Sequence, residues 1–203
     1  MAVQSGVYRG VSAQERAAER RTRLMAATLT VWADPDTSTT MTAICAEAGL
    51  SERYFYESFR NLDEALRAVL DAIAVEIEER TTRAADEAPG GAAERAVASV
   101  RAFVELLLED PRKGRVSIIE AGAMPGLRER RRELLHHFAH RSAEEARELW
   151  GVPRHSERDD EIAGALFIGG MAELISRWLD GTLEATPDEI VDAAVRGFLG
   201  LYA

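Results

Sequence analysis

Apolar side chains recur three and four positions apart along nearly the whole chain. Sustained period-two alternation is missing and β-branched runs are scarce. That pattern predicts an all-α protein. Ser12 and Glu15 have the spacing of a capping box ahead of a helix over Ala13–Ala33, whose buried stripe is Leu24, Ala27, Val31 and Trp32. Pro35 and Asp36 turn the chain. Thr40 is a good N-cap for a helix over Met41–Ala48, with Met41, Ile44, Cys45 and Ala48 on one apolar face. Gly49 permits the left-handed backbone that ends one helix and turns sharply into the next. Leu50 points inward, Ser51 caps a second short helix reaching to about 59, and Phe55 and Phe59 face the core. Two helices crossing steeply need a small residue at the contact, and Cys45 supplies it.

Beyond this pair, Asn61 caps a long helix to about 85, with Asp63 and Glu64 well placed in its first turn. The run DEAPGG at 86–91 is the clearest break. A helix over Ala92–Glu109 follows, with Val97, Val100, Val104, Leu107 and Leu108 apolar. Asp110 and Pro111 start a short helix to about 121, and Gly122, Met124, Pro125 and Gly126 form a joint. Further helices are expected over 127–150 and 157–180, separated by a loop at 151–156. Arg128, Arg130, Arg131 and Arg132 read as a solvated face. The last helix starts at Thr186, with Pro187 in first helical position and Glu189 closing a capping box. Its stripe is Ile190, Val191, Ala194, Val195, Phe198 and Leu201, and the preceding helix carries Ile162, Leu166, Gly169, Gly170, Leu174 and Trp178. These stripes are wider than one intramolecular contact needs. Gly169 and Gly170 would admit another helix closely, so a four-helix bundle with a second subunit is expected. The alternative is that both helices belong to a monomer core.

The outward face of the second short helix holds Glu52, Arg53, Tyr56 and the edge of Tyr54. A helix-turn-helix places the N-terminal part of its second helix in the major groove. Arg53 can pair with a guanine edge, Tyr54 can press on a thymine methyl, and Tyr56 can donate to a phosphate. The competing reading is a plain helical hairpin with surface tyrosines. Thr39, Thr40, Ile44, Cys45, Ala48, Gly49, Leu50, Ser51, Tyr56 and Phe59 together resemble the N-terminal domain of the TetR family of bacterial transcriptional regulators, over roughly residues 16–70. Two positions depart from that pattern. The family lysine three residues after the last Phe is Leu62 here, leaving Asn61 and the amides of the next helix to hold a phosphate. The glycine usual after the first helix is replaced by the Pro35–Asp36 turn.

The chain has 203 residues, 46% of them hydrophobic, and a net charge of −10. Residues 1–62 hold seven arginines and seven acids, so the excess negative charge lies beyond them. Arg9, Arg16, Arg20, Arg21 and Arg23 give the first part a local basic face that suits phosphate. One cysteine excludes an internal disulfide and fits a reducing cytoplasm. No uninterrupted apolar run reaches ~18 residues, and the first ten lack a secretory apolar stretch.

No phosphate loop, dinucleotide-binding glycine motif, HExxH or GxSxG occurs. His136 and His140, with Glu133 nearby, have a spacing that can hold a metal, but two histidines on an arginine-rich helix are a weak signal. The expectation is a non-enzyme with no cofactor and no metal. Two domains are expected: 1–60, an arm and helix-turn-helix that binds DNA, and 61–203, a helical effector-binding and dimerisation domain. DNA contacts are assigned to Arg20, Thr40, Ser51, Glu52, Arg53, Tyr54, Tyr56 and Asn61. The resemblance implies an effector pocket in the C-terminal domain. By position its candidates are Phe103, Leu107, Met124, Phe138, Phe167, Met171 and Trp178, with Glu120 and His137 as polar contacts, His137 being placed on the core side beside Phe138. Each is equally readable as ordinary core. The partners implied are a palindromic DNA operator, a small and largely apolar effector, and a second copy of the chain, with repression the expected outcome. The rival reading is a small-molecule-binding or enzymatic helical protein with a vestigial helix-turn-helix. Titration with metabolites set against a DNA shift assay separates the two.

Overall fold

The computed structural model describes residues 12–150 and 156–202; Arg9 and most of the 151–156 loop lie outside them. Among the described residues every regular element is helical. The chain forms two compact units, Met1–Leu70 and Asp71–Ala203.

The N-terminal unit contains α1 (Ala13–Ala33), α2 (Met41–Ala48), α3 (Glu52–Ser58) and the start of α4 (Leu62–Glu87). The Ser12 hydroxyl accepts from the Glu15 amide at 3.1 Å, while the Glu15 carboxylate accepts from the Ser12 amide at 2.6 Å. At α2, the Thr40 hydroxyl accepts from the Ala43 amide at 3.2 Å. Gly49 ends α2 with φ 61°, and the amides of Gly49 and Leu50 return to the carbonyls of Ala46 and Cys45. A side chain here would be strained by that left-handed φ. Leu24, Val31, Ile44, Cys45, Ala48, Phe55, Phe59 and Ala65 form the core. Burial pushes the Cys45 thiol up from its ordinary range, which makes it a small apolar filler. Ser51 sits in the extended N-cap conformation but makes no side-chain cap bond, unlike the sequence expectation. α3 is seven residues long with Phe55 as its buried side chain. A helix so short does not hold itself together in water; the fold around it does.

The C-terminal unit contains the rest of α4, α5 (Ala92–Glu109), α6 (Pro111–Gly114), a π-helical stretch over Arg115–Glu120, α7 (Ala121–Ala123), a 3-10 turn over Pro125–Leu127, α8 (Arg128–Trp150), α9 (Glu157–Leu179) and α10 (Pro187–Tyr202). A plain short helix was expected at 111–121. The chain instead widens into π geometry just after Gly114, whose missing side chain leaves room for Leu107 and Leu179. One apolar cluster joins α5, α9 and α10 through Val104, Leu107, Ile175, Ile190 and Val191. A second is built on Ala143, Ala146, Ala163, Phe198 and Tyr202.

α8 buries only small residues, Ala139, Ser142, Ala143 and Ala146. They face Ala163 and Gly164 of α9, and a Cβ on Gly164 would collide with the Ala139 carbonyl oxygen. The intramolecular close approach is therefore at Gly164. Gly169 and Gly170 are exposed, with nothing within 4 Å of an added Cβ. Buried Asp160 accepts from the Arg147 guanidinium at 2.8 Å, and Ser142 shares a hydrogen with Tyr202 at 3.1 Å.

Glu145 has a buried carboxylate oxygen without a hydrogen-bond partner, and burial pushes its carboxyl up despite Arg141 and Arg95 nearby. With the folded pKa raised, the stabilising form is protonated. Its contribution is complete below about pH 4.5 and is lost as pH rises through the folded value. Glu145→Gln should therefore raise the melting temperature by a few degrees at pH 7, and the gain should shrink toward zero below pH 4.5. Thermal melts across that range read this directly.

Candidate nucleic-acid interface

The Gly49 elbow sets α3 on the surface of the N-terminal unit with Phe55 turned inward and its opposite side in solvent. Arg53 is 83% exposed and Tyr56 59%. Thr40, Ser51, Glu52 and Asn61 are also exposed. Thr40 stands at the start of α2, Ser51 and Glu52 at the start of α3 and Asn61 just ahead of α4. The Thr40 hydroxyl, held as an acceptor by Ala43, can donate outward. Glu52 takes a long hydrogen bond from the Thr42 hydroxyl at 3.4 Å, tying α3 to α2. Arg53 lies 3.0 Å from Glu57 one turn on, a surface pair weak enough to open for a stronger anion.

Tyr54 is half-buried, because the Arg20 guanidinium covers its ring at 4.5 Å. Arg20 also lies 3.5 Å from Glu57, and its side chain is only 24% exposed. Arg21 donates to the Ser58 carbonyl and Arg23 to the Ala48 carbonyl, both at 2.6 Å. Arg20, Arg21 and Arg23 of the expected basic face are thus engaged with α2 and α3. The sequence carried a signal of this. Arg20 and Arg21 stand four and three residues before Leu24, so they continue the buried stripe rather than the solvated side.

At α4, Asn61 accepts the Glu64 amide at 2.9 Å, which leaves its side-chain NH2 to donate. Glu64 folds back onto the Arg60 amide at 2.7 Å, and that bond holds its carboxyl below the usual range. Leu62 packs against the core cluster. At this position the chain has a packing residue where the TetR pattern has a cation.

No family model and no curated protein matches the sequence. Solved structures do match along most of the chain. The fatty acid degradation regulator FadR from Bacillus halodurans superimposes with a TM-score of 0.77 at 17% identity, covering 89% of this chain and 95% of that one. FadR from Bacillus subtilis, solved in complex with stearoyl-CoA, gives 0.70 at 17% over 90% and 97%. A TetR-like transcriptional regulator from Rhodococcus sp. RHA1 gives 0.69 at 17% over 90% and 94%. The fold is that of the TetR-type transcriptional regulators.

In the C-terminal unit of this TetR-type fold, the proposed pocket residues separate. Phe103, Leu107, Met171 and Trp178 share the α5–α9–α10 cluster. The Trp178 indole donates to the Ala185 carbonyl at 2.9 Å, fixing the ring at the turn before α10. Phe167 belongs to the other cluster, edge-on to Phe198 with ring centroids 5.3 Å apart. Met124 and Phe138 are half-buried. Glu120 pairs with Arg115 at 3.0 Å inside the π stretch. His137 does not turn to the core: it is exposed and lies 3.0 Å from Glu78. Its neighbour Phe138 takes the inward side, since adjacent helical positions point about 100° apart. Arg130 is not purely solvated either, pairing with Asp71 at 2.7 Å. His140 faces Glu144, and among the described residues no group of three His, Cys, Asp or Glu is placed to hold a metal.

Proposed function

We propose that this chain is a ligand-responsive transcriptional regulator of the TetR family that binds a palindromic DNA operator as a homodimer and represses from it. The observation that carries the reading is the exposed Arg53–Tyr56 side of α3, held out by the left-handed Gly49 elbow within a TetR-type fold. Ser51 and Glu52 enter the groove beside Arg53. Thr40, Tyr56 and Asn61 contact phosphates, and Tyr54 meets a thymine methyl with its uncovered edge. Arg20 acts from beneath Tyr54. The division of labour is an N-terminal reading domain and a helical effector and dimer domain. Such a protein works in the cytoplasm and needs no catalytic group.

The dimer reading rests on α9 and α10. Ile162 and Leu166 are 51% and 60% exposed, and Gly169, Gly170, Gly197 and Gly200 have open space beside them. α9 is also long and apolar enough by length and composition to cross a membrane, and most of it is not buried within the chain. An apolar helix packed on α8 along one side and bare along the other suits a second copy better than lipid, given buried Asp160 on it. The effector is apolar, taken up near Phe103, Leu107, Met171 and Trp178, with Met124, Phe138 and Phe167 bordering the region. The stearoyl-CoA complex of the Bacillus subtilis relative makes long acyl groups the first class to try. It must prefer the DNA-incompetent state to release the operator.

The test is selection of bound fragments from genomic DNA, followed by anisotropy titration on the recovered operator. Wild type should select one palindromic sequence. Arg53→Ala should weaken operator binding about 5- to 150-fold, equivalent to ~1–3 kcal/mol for a guanine contact, and flatten preference at one base position per half-site. An Arg53→Ala protein with unchanged affinity and selectivity removes α3 as the reading helix.

A further inference from the structure

We propose that Arg21 and Arg23 are positioning residues for the reading helix, acting as guanidinium caps on the ends of α3 and α2 rather than as phosphate contacts. The proposal rests on the DNA-binding reading above and assigns to α1 a task that its charge alone would not suggest.

The last carbonyls of a helix have no partner within it, and they form the negative end of its dipole. Gly49 and Leu50 satisfy Ala46 and Cys45 at the end of α2. The Ala48 carbonyl is taken by Arg23, across 25 residues of sequence, at 2.6 Å. The same guanidinium lies over the elbow, 3.5 Å from where a Cβ on Gly49 would stand. At the end of α3 the Phe59 amide returns to Phe55, and the Ser58 carbonyl is taken by Arg21 at 2.6 Å. Arg21 also covers the Phe59 ring at 4.2 Å, and that ring sits 5.6 Å from Phe55. A cation bonded to a carbonyl is roughly twice as strong as a neutral pair, and ring stacking adds direction.

Besides the Phe55 and Phe59 rings, α3 is held along its side by the long Thr42–Glu52 bond and by Arg20 against Tyr54 and Glu57, and none of these contacts reaches the backbone at its ends. It spans seven residues, buries Phe55 and has no side-chain N-cap bond. Its two ends are therefore set by α1: Arg23 holds the turn that precedes it and Arg21 holds its last carbonyl. Both contacts go to backbone oxygens, so they fix where α3 lies whatever side chains it carries. Small misplacements of a recognition surface cost selectivity first, because base edges demand aligned donors while phosphate attraction does not.

The test uses the full chain with Arg21→Gln, Arg23→Gln, Arg21→Lys and Arg23→Lys. Affinity for the selected operator and for non-specific duplex is measured across a salt series. Amide hydrogen exchange in 52–59 is followed in the DNA-free protein. The expected result for each Gln variant is an operator-to-non-specific affinity ratio about 10-fold lower, with the non-specific salt slope unchanged and faster exchange confined to α3. Arg21→Lys keeps the charge but loses the stack on Phe59, and Arg23→Lys keeps the charge but loses the guanidinium plane over the elbow, so each should regain only part of the ratio. A phosphate role would show as a slope smaller by about 0.9 per removed contact, with full recovery in Lys; that result overturns the proposal, as does an unchanged ratio with unchanged exchange. A wild-type chain that selects no duplex at all overturns the DNA reading and this proposal with it. That outcome is told apart from failure of the caps alone, where wild type selects an operator and the Gln variants select it equally well.

Discussion

Gly164→Ala lowers the melting temperature of the C-terminal unit by roughly 10 °C. The added methyl has nowhere to go: it would press on the carbonyl oxygen, carbonyl carbon and Cα of Ala139, all backbone atoms of α8. A flexible side chain can rotate away from such a clash, but a helix backbone can yield only by moving as a body. The neighbouring seam of Ala143, Ala146 and Ala163 leaves no long side chain to rearrange. Moving α8 would also stretch Asp160–Arg147, which ties it to α9, and Ser142–Tyr202, which ties it to α10. Overpacking of this kind costs about 3 kcal/mol, the upper part of its usual range. A chain of this size loses ~2–4 °C per kcal/mol. Circular dichroism melts give the shift. Gly169→Ala and Gly170→Ala, with Gly164→Ala, are compared on the Leu166→Glu background, where no second copy covers α9: within the chain open space surrounds both, and alanine favours a helix by about 1 kcal/mol over glycine. Equal shifts at all three positions would mean that the α8–α9 contact is not the close one.

The contrast between these glycines shows what the sequence could and could not reveal. Helix starts were legible because caps act locally: Ser12–Glu15, Thr40 and Thr186–Glu189 each bond within three residues. The Gly49 elbow was legible for the same reason. Closeness between helices distant in sequence was not. Gly169 and Gly170, which the sequence assigns to a helix of a second copy, stay open within the chain, whereas the close contact inside it is Gly164 on Ala139, twenty-five positions earlier. The arginines of α1 illustrate the same limit. Their charge was obvious, but the acceptors are backbone oxygens at Ser58 and Ala48, which carry no residue-specific signal. The sequence reading sets His137 on the core side beside Phe138, yet one helical step separates the two and Glu78 holds the imidazole outside. The π stretch at Arg115–Glu120 left no mark in the sequence beyond a buried Gly114 just ahead of it.

The other large effect concerns the proposed dimer, on which the proposed operator reading depends. Leu166→Glu should convert a dimer into a monomer at micromolar concentration and reduce operator affinity by at least about 100-fold. Leu166 is the most exposed large hydrophobic residue of α9 and lies one turn from Ile162 and from Gly169–Gly170. On a two-fold interface the same patch meets itself, so one substitution places two carboxylates near each other in the contact. An unpaired buried charge costs several kcal/mol, enough to raise the dimer dissociation constant 1,000-fold or more. A monomer retains its α3 and can still touch one half-site. It loses the second contact, which a dimer makes at high effective concentration, and such linkage is worth ~10²–10⁴ in affinity. Light scattering after gel filtration reads the mass, and anisotropy on full and half operators reads the affinity. Leu108→Glu, at a separate exposed apolar site on α5, should leave both unchanged. If Leu166→Glu remains a dimer with full operator affinity, the bare side of α9 is not where the copies meet.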